Sequence, residues 1–199
     1  MNILVTNPGR RIYFINFLLE LKKKYKSINI HISDCDKQLP TMSLKNVKNH
    51  LISKVVEGEK IYKKKITKII EKNKIKLVLP LTDYDIIILS SLKNKLKDLN
   101  CRLAVPDFNT TKILNDKYKT YFFCKNKNIL TPEIISKKKI KVYNKKKSII
   151  EKEIIGSASK NIRILKKNAK FKIRKNFIYQ KYIKGTELHF DILNDFDGK

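Results

Sequence analysis

Short apolar runs alternate with helix-patterned stretches over the first half of the chain. The runs predict buried β-strands at residues 2–7, 29–34, 76–81 and 102–106. Between them, apolar residues recur at helical spacing and predict helices at residues 10–24, 60–73 and 83–99. This alternation is typical of a parallel sheet covered on both faces, and the opening β-turn-α-β unit indicates a Rossmann-like fold.

The pattern changes near residue 108. Residues 109–127 predict one more helix, capped by Thr110 or Thr111. The lysine-dense stretch 137–147 predicts a surface hairpin or loop, and short apolar runs predict strands at residues 148–152, 161–165, 177–182 and 188–193. We therefore predict an α/β protein with a Rossmann-like domain at residues 1–107 and a mainly β domain at residues 108–199.

Composition fits one large folded domain or two small ones. The chain has 199 residues, of which 42% are hydrophobic, enough to bury a core. No run reaches the roughly 18 apolar residues of a membrane span, and the apolar start lacks the charged flank of a signal peptide. The three cysteines are far apart and offer no metal-ligand spacing. These features predict a cytoplasmic protein without a membrane segment.

The formal net charge of +28 raises the question of a nucleic-acid partner. The excess is mostly lysine and is spread along the chain, whereas arginine, the better residue for planar phosphate and base contacts, is scarce. We interpret the charge as solvated lysine faces. Non-specific attraction to polyanions at low salt is expected, and specific nucleic-acid binding is not.

A glycine-serine loop between two predicted strands is the first candidate for chemistry. Gly156 lets the backbone approach a ligand closely, while Ser157 and Ser159 offer hydroxyl groups to phosphate oxygens. Lys152, on the strand that leads into the loop, would supply a positive charge to the same phosphates. A hairpin of small residues explains the loop equally well, so the motif alone is weak.

A second candidate follows the predicted strand at residues 177–182. The backbone of such a strand presents a donor and an acceptor that suit the edge of an adenine. A carboxylate a few residues later, Glu187, is suited to accept hydrogen bonds from ribose hydroxyls. A solvated surface acid is the plain alternative for Glu187.

Other polar residues admit two interpretations each. His31 lies on a predicted strand and is interpreted as a core-edge or surface histidine, because neither it nor His50 or His189 has metal-ligand spacing. The pair Arg10 and Arg11 either binds an anion at a helix start or is helix surface charge. Asp83 and Asp85 either frame a pocket at strand ends or cap a helix, and Cys124 is predicted to lie in the core.

In order along the chain, these segments resemble the ATP-grasp superfamily, in particular the carbamoyl phosphate synthase large-chain-like carboxylate–amine ligases. Residues 115–121, Asn-Asp-Lys-Tyr-Lys-Thr-Tyr, are similar to the family's Asp-Lys-Tyr-x-Thr helix start. Residues 152–162 resemble its Lys-Pro-x-x-Gly-Ser-x-Ser-x-Gly-Val loop. Further segments that match in family order are residues 1–11, 33–36, 79–85, 129–132 and 180–191.

The resemblance implies an ATP site and a fold. The fold is a Rossmann-like pre-ATP-grasp domain followed by a partial α+β ATP-grasp domain. In the family, ATP phosphorylates a carboxylate and an amine or another nucleophile attacks the acyl phosphate, helped by lysines and Mg²⁺. The implied site residues are Lys117 and Lys152 for the phosphates, Gly156, Ser157 and Ser159 for the closing loop, Gln180, Lys181, Tyr182 and Ile183 for the adenine hinge, and Glu187 for the ribose.

The sequence departs from the family at several points. Glu153 replaces a proline, and its charge either weakens phosphate binding or points away from the site. Asn128 and Asn161 replace glycines, which we expect to be mild changes because asparagine tolerates a left-handed backbone. Residues 166–176 are short and lysine-rich where the family has a helix, so a pared-down subdomain is expected.

The end of the chain sets further expectations. Asp197 and Gly198 look like a hairpin turn, and the family's Mg²⁺ ligands would lie beyond Lys199, so we assign no metal ligand and no catalytic residue. We expect weak ATP binding and no turnover by this chain alone. Two hypotheses lead: a ligase that is either cut short or one piece of a split enzyme, with a complementing chain or a homo-oligomer as its partner, and a non-catalytic nucleotide- or metabolite-binding remnant. A third hypothesis, nucleic-acid binding through the lysines, rests on the charge alone. The acceptor carboxylate and the amine stay unassigned.

Overall fold

A computed structural model describes residues 1–54, 57–157, 161–190, 192 and 194. The chain divides into two compact units, Met1–Thr111 and Lys112–Lys199. None of the helices in these described residues has both the length and the apolar character needed to cross a membrane.

The first unit contains a five-stranded parallel sheet in the order β3-β2-β1-β4-β5. Its strands are β1 (Asn2–Thr6), β2 (Asn29–Asp34), β3 (Lys48–Leu51), β4 (Ile75–Pro80) and β5 (Arg102–Leu103). The helices that begin within it are α1 (Ile12–Lys24), α2 (Glu59–Lys72), α3 (Asp83–Ser90), α4 (Lys93–Asp98) and α5 (Phe108–Leu114), with a 3₁₀ turn at Pro40–Ser43. The predicted α/β fold with a Rossmann-like parallel sheet is confirmed.

Alternation along β1 explains why both faces of this sheet are covered. Leu4 is fully buried in a cluster with residues of α2, including Ile66, whereas Val5 is fully buried in a second cluster with Ile15 of α1. Successive side chains of a strand point to opposite faces, so a continuous apolar run requires an apolar layer on each side. The run at residues 2–7 therefore has the two-faced burial that its composition predicts.

The long helix predicted at residues 83–99 is two helices, α3 and α4. The hydroxyl groups of Ser90 and Ser91 donate to the carbonyls of Ile87 and Ile88 at 2.9 and 2.6 Å. Serine side chains that bond to nearby carbonyls compete with the helical backbone ladder, and the helix ends there. The strand predicted at residues 102–106 is also shorter, because β5 pairs with β4 over only two residues.

The helix predicted at residues 109–127 is likewise divided, into α5 and α6 (Lys117–Asn126). Neither Thr110 nor Thr111 is the cap. The carboxylate of Asp107 accepts from the backbone N–H of Thr110 at 3.0 Å, and Asp116 caps α6. A carboxylate accepts helix N–H groups more strongly than a hydroxyl does because its charge also favours the helix start.

A small antiparallel sheet forms the centre of the second unit, in the order β7-β6-β8. Its strands are β6 (Ile149–Glu153), β7 (Arg163–Leu165) and β8 (Phe177–Lys181). Residues 133–135 lie along the other edge of β8, where Ile135 N–H donates to the Tyr179 carbonyl at 2.8 Å and Lys181 N–H donates to the Glu133 carbonyl at 3.0 Å. Parallel strands thus occupy the first unit and antiparallel strands the second, as expected.

Two local predictions in the second unit are wrong. The lysine-dense stretch predicted as a loop contains helix α7 (Ile140–Lys146), because Ile140 is fully buried and Asn144 is buried with its amide donating to the carbonyls of Leu165 and Lys166. The strand predicted at residues 188–193 is not formed by residues 188–190, which are exposed and pair with no strand in the described part of the chain. An extended segment is stable as a strand only with a ladder partner.

Candidate functional site

Strand β6 separates the two faces of the small sheet. Ile149 is fully buried in an apolar cluster with Tyr179 and Leu165 on one face. Lys152 is three residues from Ile149, an odd number, so it projects from the other face, and it stands opposite Ile178 of β8. The sheet therefore has a packed side and a side that presents a lysine.

The start of α6 is attached to the segment that leaves β6. The backbone N–H of Lys117 donates to the Ile154 carbonyl at 3.0 Å, and its ammonium group donates to the Gly156 carbonyl at 2.9 Å. Asp116 fixes the helix start by accepting from the N–H groups of Tyr118 and Lys119 at 2.9 and 3.0 Å. Two independent contacts thus hold Lys117 against the glycine-serine loop.

The positive charges of Lys152 and Lys117 are close enough to affect each other. Burial lowers the pKa of Lys152, and the charge of Lys117 lowers it further. Two ammonium groups held near one another disfavour each other's charged form unless an anion lies between them. A lysine pair beside a glycine loop is therefore an arrangement suited to phosphate, the ligand group that the resemblance implies for these residues.

The base of the loop carries a contact that the sequence did not predict. The side chain of Asn161 donates to Glu153 Oε1 at 3.0 Å, and a Cβ placed on Gly156 would stand 2.9 Å from Glu153 Oε2. Glu153 therefore lies under the loop and joins its two ends. Asn161 and Asn128 have φ of +57° and +56°, which confirms that asparagine takes the left-handed backbone at both positions.

The loop residues and the hinge residues differ in how they are engaged. Ser157 is half-buried in the loop, whereas Ser159 lies outside the described residues. In the hinge, the Gln180 amide donates to the Pro132 carbonyl at 2.9 Å, and Lys181 forms an ion pair with Glu133 that raises the pKa of Lys181. Both side chains hold the neighbouring segment to β8, so their role as observed is to position the hinge.

The later hinge residues present open surface. Tyr182 and Ile183 are exposed, and Glu187 is exposed with His189 at 3.5 Å. Among the ten residues that the resemblance implied, the structure brings together Lys117, Lys152 and Gly156.

A buried carboxylate on the packed face of β6 was missed by sequence reasoning. Glu151 accepts from Arg163 Nε at 2.8 Å, from Arg174 Nη2 at 2.5 Å and from the Tyr179 hydroxyl at 2.7 Å. Burial alone would raise the pKa of Glu151, but the hydrogen bonds from Arg174, Tyr179 and Arg163 outweigh it and hold that pKa below its ordinary value. The only sequence signal was its register with Ile149, which places an acid on the apolar face.

An aromatic hollow of about 530 Å³ also lies in the second unit. Tyr118, Tyr121 and Phe122 of α6 line one wall, and Ile134 and Ile178 line the other. Its volume is within the range of small-molecule sites. Neither Lys117 nor Lys152 lines it, but Ile154, which accepts from the Lys117 N–H, does. The hollow therefore adjoins the lysine pair.

In the first unit, the crevice between β1 and β4 is filled. Asp85 is fully buried and accepts from Thr6 at 2.9 Å, Asn7 at 2.6 Å and the Tyr62 hydroxyl at 2.5 Å. The cap of α3 is Thr82, which accepts from Asp85 N–H at 3.3 Å. Asp85 therefore neither caps the helix nor opens a pocket; burial raises its pKa against the effect of these donors. It joins β1, α2 and α3.

Two remaining residue predictions have outcomes of their own. Cys124 is only half-buried, so its predicted core position is wrong, because no residue of α6 is fully covered. His31 is buried and forms a ring-to-ring contact with His50. Within the described ranges, no three His, Cys, Asp or Glu side chains gather in a way that would hold a metal ion.

Several known proteins share this architecture at low identity. The chain is similar to N5-carboxyaminoimidazole ribonucleotide synthetase from Thermotoga maritima (14% identity, TM-score 0.57, 92% of this chain and 46% of that one). It is also similar to the biotin carboxylase domain of Hydrogenobacter thermophilus 2-oxoglutarate carboxylase, solved with MgADP, ADP and bicarbonate. The identity is 14%, the TM-score is 0.64, and the match covers 92% of this chain and 44% of that one. A third similar structure is L-amino acid ligase from Bacillus licheniformis (13% identity, TM-score 0.60, 92% of this chain and 44% of that one).

Comparison with family models agrees with these structures. This chain spans less than half the length of each of the three proteins. No curated protein sequence matches it. The model of a PylC-like N-terminal domain matches residues 3–104, and the model of an ATP-grasp domain matches residues 114–197. The chain therefore belongs to the ATP-grasp superfamily, and within it to the proteins with a PylC-like N-terminal domain.

Proposed function

We propose that the second unit binds ATP, and that the chain takes part in an ATP-dependent ligase reaction that joins a carboxylate to an amine or another nucleophile. One observation carries the proposal: Lys117 Nζ is held 2.9 Å from the Gly156 carbonyl, and its charge acts on the half-buried Lys152 of the strand that leads into that loop. Membership of the ATP-grasp superfamily supports the same reading. So does the likeness to a synthetase, a carboxylase domain and an amino acid ligase.

Each residue has a proposed part in holding ATP. Lys117 and Lys152 neutralise phosphate charge, and the Gly156 backbone lets the loop approach those oxygens. The Ser157 hydroxyl is within the same loop, and Ser159 is assigned by resemblance alone. In the hinge, the backbone of residues 180–183 borders the adenine, with Gln180 and Lys181 fixed from behind by residues 132–133, and Glu187 accepts from the ribose.

The proposed reaction is a phosphoryl transfer followed by a substitution. A carboxylate oxygen attacks the γ-phosphorus of ATP, so an acyl phosphate forms and ADP leaves. The nucleophile then attacks the acyl carbon, and inorganic phosphate leaves with the bonding electrons. Lysine charges favour both steps because negative charge grows on the phosphate oxygens. A magnesium ion accompanies ADP in one of the similar structures, but the described residues offer it no cluster of ligands, and we route no step through it.

A second candidate function is nucleotide or metabolite binding without turnover. In either candidate the ligand contacts the hinge through its backbone, because the Gln180 amide bonds to Pro132 and Lys181 pairs with Glu133. Both candidates require the same lysine pair, so binding and turnover must be measured separately.

Binding is tested by calorimetric titration of ATP into the chain and into three variants. Lys117→Ala and Lys152→Ala are each expected to weaken ATP binding about tenfold or more, since each removes a charge-assisted contact. Lys170→Ala, which removes an exposed lysine at another place, is the matched control and is expected to leave the affinity unchanged. Equal affinity in all four proteins would contradict the proposed site.

Turnover is tested by release of ADP and phosphate across a panel of carboxylates and amines. Carboxylate-dependent phosphate release that is lost in Lys152→Ala supports the ligase. Saturable ATP binding with no release above the background of that variant supports binding without turnover and excludes ligase activity for the chain by itself.

A further inference from the structure

Two histidines in the first unit share one hydrogen bond. His31 Nδ1 and His50 Nε2 are 3.0 Å apart, the ring planes differ by 3° and the ring centroids are 5.3 Å apart. The centroid separation equals the N···N distance plus the two ring radii, so both nitrogens lie on the line between the ring centres. Parallel rings in that position are coplanar, and the contact is a linear N–H···N bond in which one ring donates and the other accepts.

A cleft opens beside His50, between strand β3 and helix α2. Its volume is about 310 Å³. Lysines at positions i, i+3 and i+7 of α2 follow one wall, and two apolar side chains and Asn73 also line the cleft. The lining residues used below are His50, Leu51, Lys65, Lys68, Ile69 and Lys72.

The field in this cleft is positive. Burial lowers the pKa of His50, and the charges of Lys48 on β3 and Lys72 on α2 lower it further. For His31, burial, His50 and Lys48 lower the pKa to about 4. No carboxylate lies among the described residues that line the cleft. An anion placed there would offset the repulsion between these cations and favour protonation of His50.

A second lysine-lined hollow shows that this combination is not common to all lysine clusters on the surface. It has a volume of about 590 Å³ beside α1, and its lining includes Lys22, Lys23 and Glu20. Lys23 donates to Glu20 at 2.6 Å, so a carboxylate already partners one of its cations. That hollow also lacks a histidine among its described lining residues. The cleft beside His50 is therefore the candidate site, and the hollow beside α1 is its control.

We propose that the cleft formed by His50, Lys65, Lys68 and Lys72 is a binding site for the phosphate group of a small phosphorylated molecule. The lysines supply charge to the phosphate oxygens, His50 supplies a ring N–H, and Leu51 and Ile69 contact the non-polar part of the ligand. The volume lies at the lower end of small-molecule sites, which favours a compact ligand over a nucleotide. This site is separate from the lysine pair of the second unit and does not depend on its function.

Histidine NMR tests the proposal directly because the chain has three histidines. The ring nitrogens of His31, His50 and His189 are followed while pyrophosphate is added near pH 6.5 at fixed ionic strength. We expect saturable shifts of His50 and His31, an upward movement of the pKa of His50, and no change at His189, which is exposed in the second unit. Shifts that are linear in pyrophosphate, or equal at all three histidines, would overturn the site.

Variants separate the cleft from the other cationic places. Lys68→Gln and Lys72→Gln are each expected to weaken the pyrophosphate effect on His50 roughly tenfold. Lys23→Gln in the control hollow and Lys152→Ala in the ATP site are expected to leave it unchanged, so failure here is distinguishable from failure of the ATP site. An unchanged response in both cleft variants would contradict the proposal, and a single-stranded oligonucleotide that moves His50 at lower concentration than pyrophosphate would overturn the assignment to a small molecule.

Discussion

The Asp85 network of the first unit and the lysine pair of the second treat charge in opposite ways. In the first, Asp85 is surrounded by donors from Thr6, Asn7 and Tyr62, so the crevice between β1 and β4 is closed. In the second, Lys152 is half-buried near a like charge, that of Lys117. The crevice beside a topological switch point is where open α/β sheets commonly bind ligands. Here the buried Asp85 network fills that crevice, and the neighbouring like charges of Lys117 and Lys152 lie at the small antiparallel sheet instead.

The contrast separates stability from binding. A carboxylate with three donors stabilises the elements that it joins, because removing it leaves those donors buried without partners. Two neighbouring cations do the reverse: they cost stability in the absence of a ligand and favour anion binding. Substitution of Asp85 should therefore change unfolding, and substitution of Lys152 should change affinity.

Replacement of Asp85 by Ala is expected to have the largest effect. It should lower the free energy of unfolding by about 3 kcal/mol, since the hydroxyl groups of Tyr62 and Thr6 lose their acceptor inside the protein. Urea unfolding followed by circular dichroism measures it. Asp85→Asn keeps the size and one acceptor and should lose less. A loss below about 0.5 kcal/mol in Asp85→Ala would mean that the network does not hold the unit together.

Replacement of Lys152 by Ala should give the opposite profile. ATP affinity should fall about tenfold or more, while the free energy of unfolding stays unchanged or rises, because repulsion from Lys117 is removed. Calorimetry and urea unfolding on the same preparation test both halves. A large loss of stability would show that Lys152 is a structural residue and would end the contrast between the units.

The histidine pair predicts an acid limit to the stability of the first unit. The pKa of His31 is lowered to about 4, so the folded state binds its proton less readily than the unfolded state. Stability from this group is present above about pH 6.5 and is lost as pH falls toward 4, at no more than about 1.4 kcal/mol per pH unit. His31→Gln should flatten this dependence in urea unfolding measured from pH 7 to pH 4. An equal effect of His189→Gln would contradict it.

The smallest effect is expected at the base of the loop. Gly156→Ala should weaken ATP binding several-fold, because the new Cβ would stand 2.9 Å from Glu153 Oε2. Glu153→Ala should remove that obstruction, so the double variant should bind ATP better than Gly156→Ala alone. A double-mutant cycle with no coupling would show that Glu153 does not support the loop.

The spacing of apolar residues along the sequence predicts much of the fold. Strand β2 lies at residues 29–34 as predicted, and α1 and α2 deviate by at most two residues at either end. The apolar pattern did not predict α7, because its few apolar residues stand among lysines; the fully buried Ile140, for example, is followed by Lys141. It also failed for β3, a short edge strand with little burial to mark it.

The candidate site was predictable in part. Lys117, Lys152 and Gly156 were identified by resemblance to family motifs, and the structure brings them together. The donor networks of Asp85 and Glu151 were not predicted, because a lone acid within an apolar stretch reveals its donors only when distant segments meet. The contact of Asn161 with Glu153 depends on the path of the intervening loop, and the bond between His31 and His50 depends on the unpredicted β3.

The Glu151 cluster has a consequence for the kinetics and entropy of nucleotide capture. Glu151 and Lys152 are adjacent on β6 and point to opposite faces, so the salt bridges from Arg163 and Arg174 hold the strand from behind. A lysine on an anchored strand is preorganised, and little backbone freedom is lost when a ligand arrives. Arg174→Ala removes one of these salt bridges and leaves the charge of Lys152 in place. We therefore expect this variant to bind ATP with a slower association rate and a less favourable binding entropy.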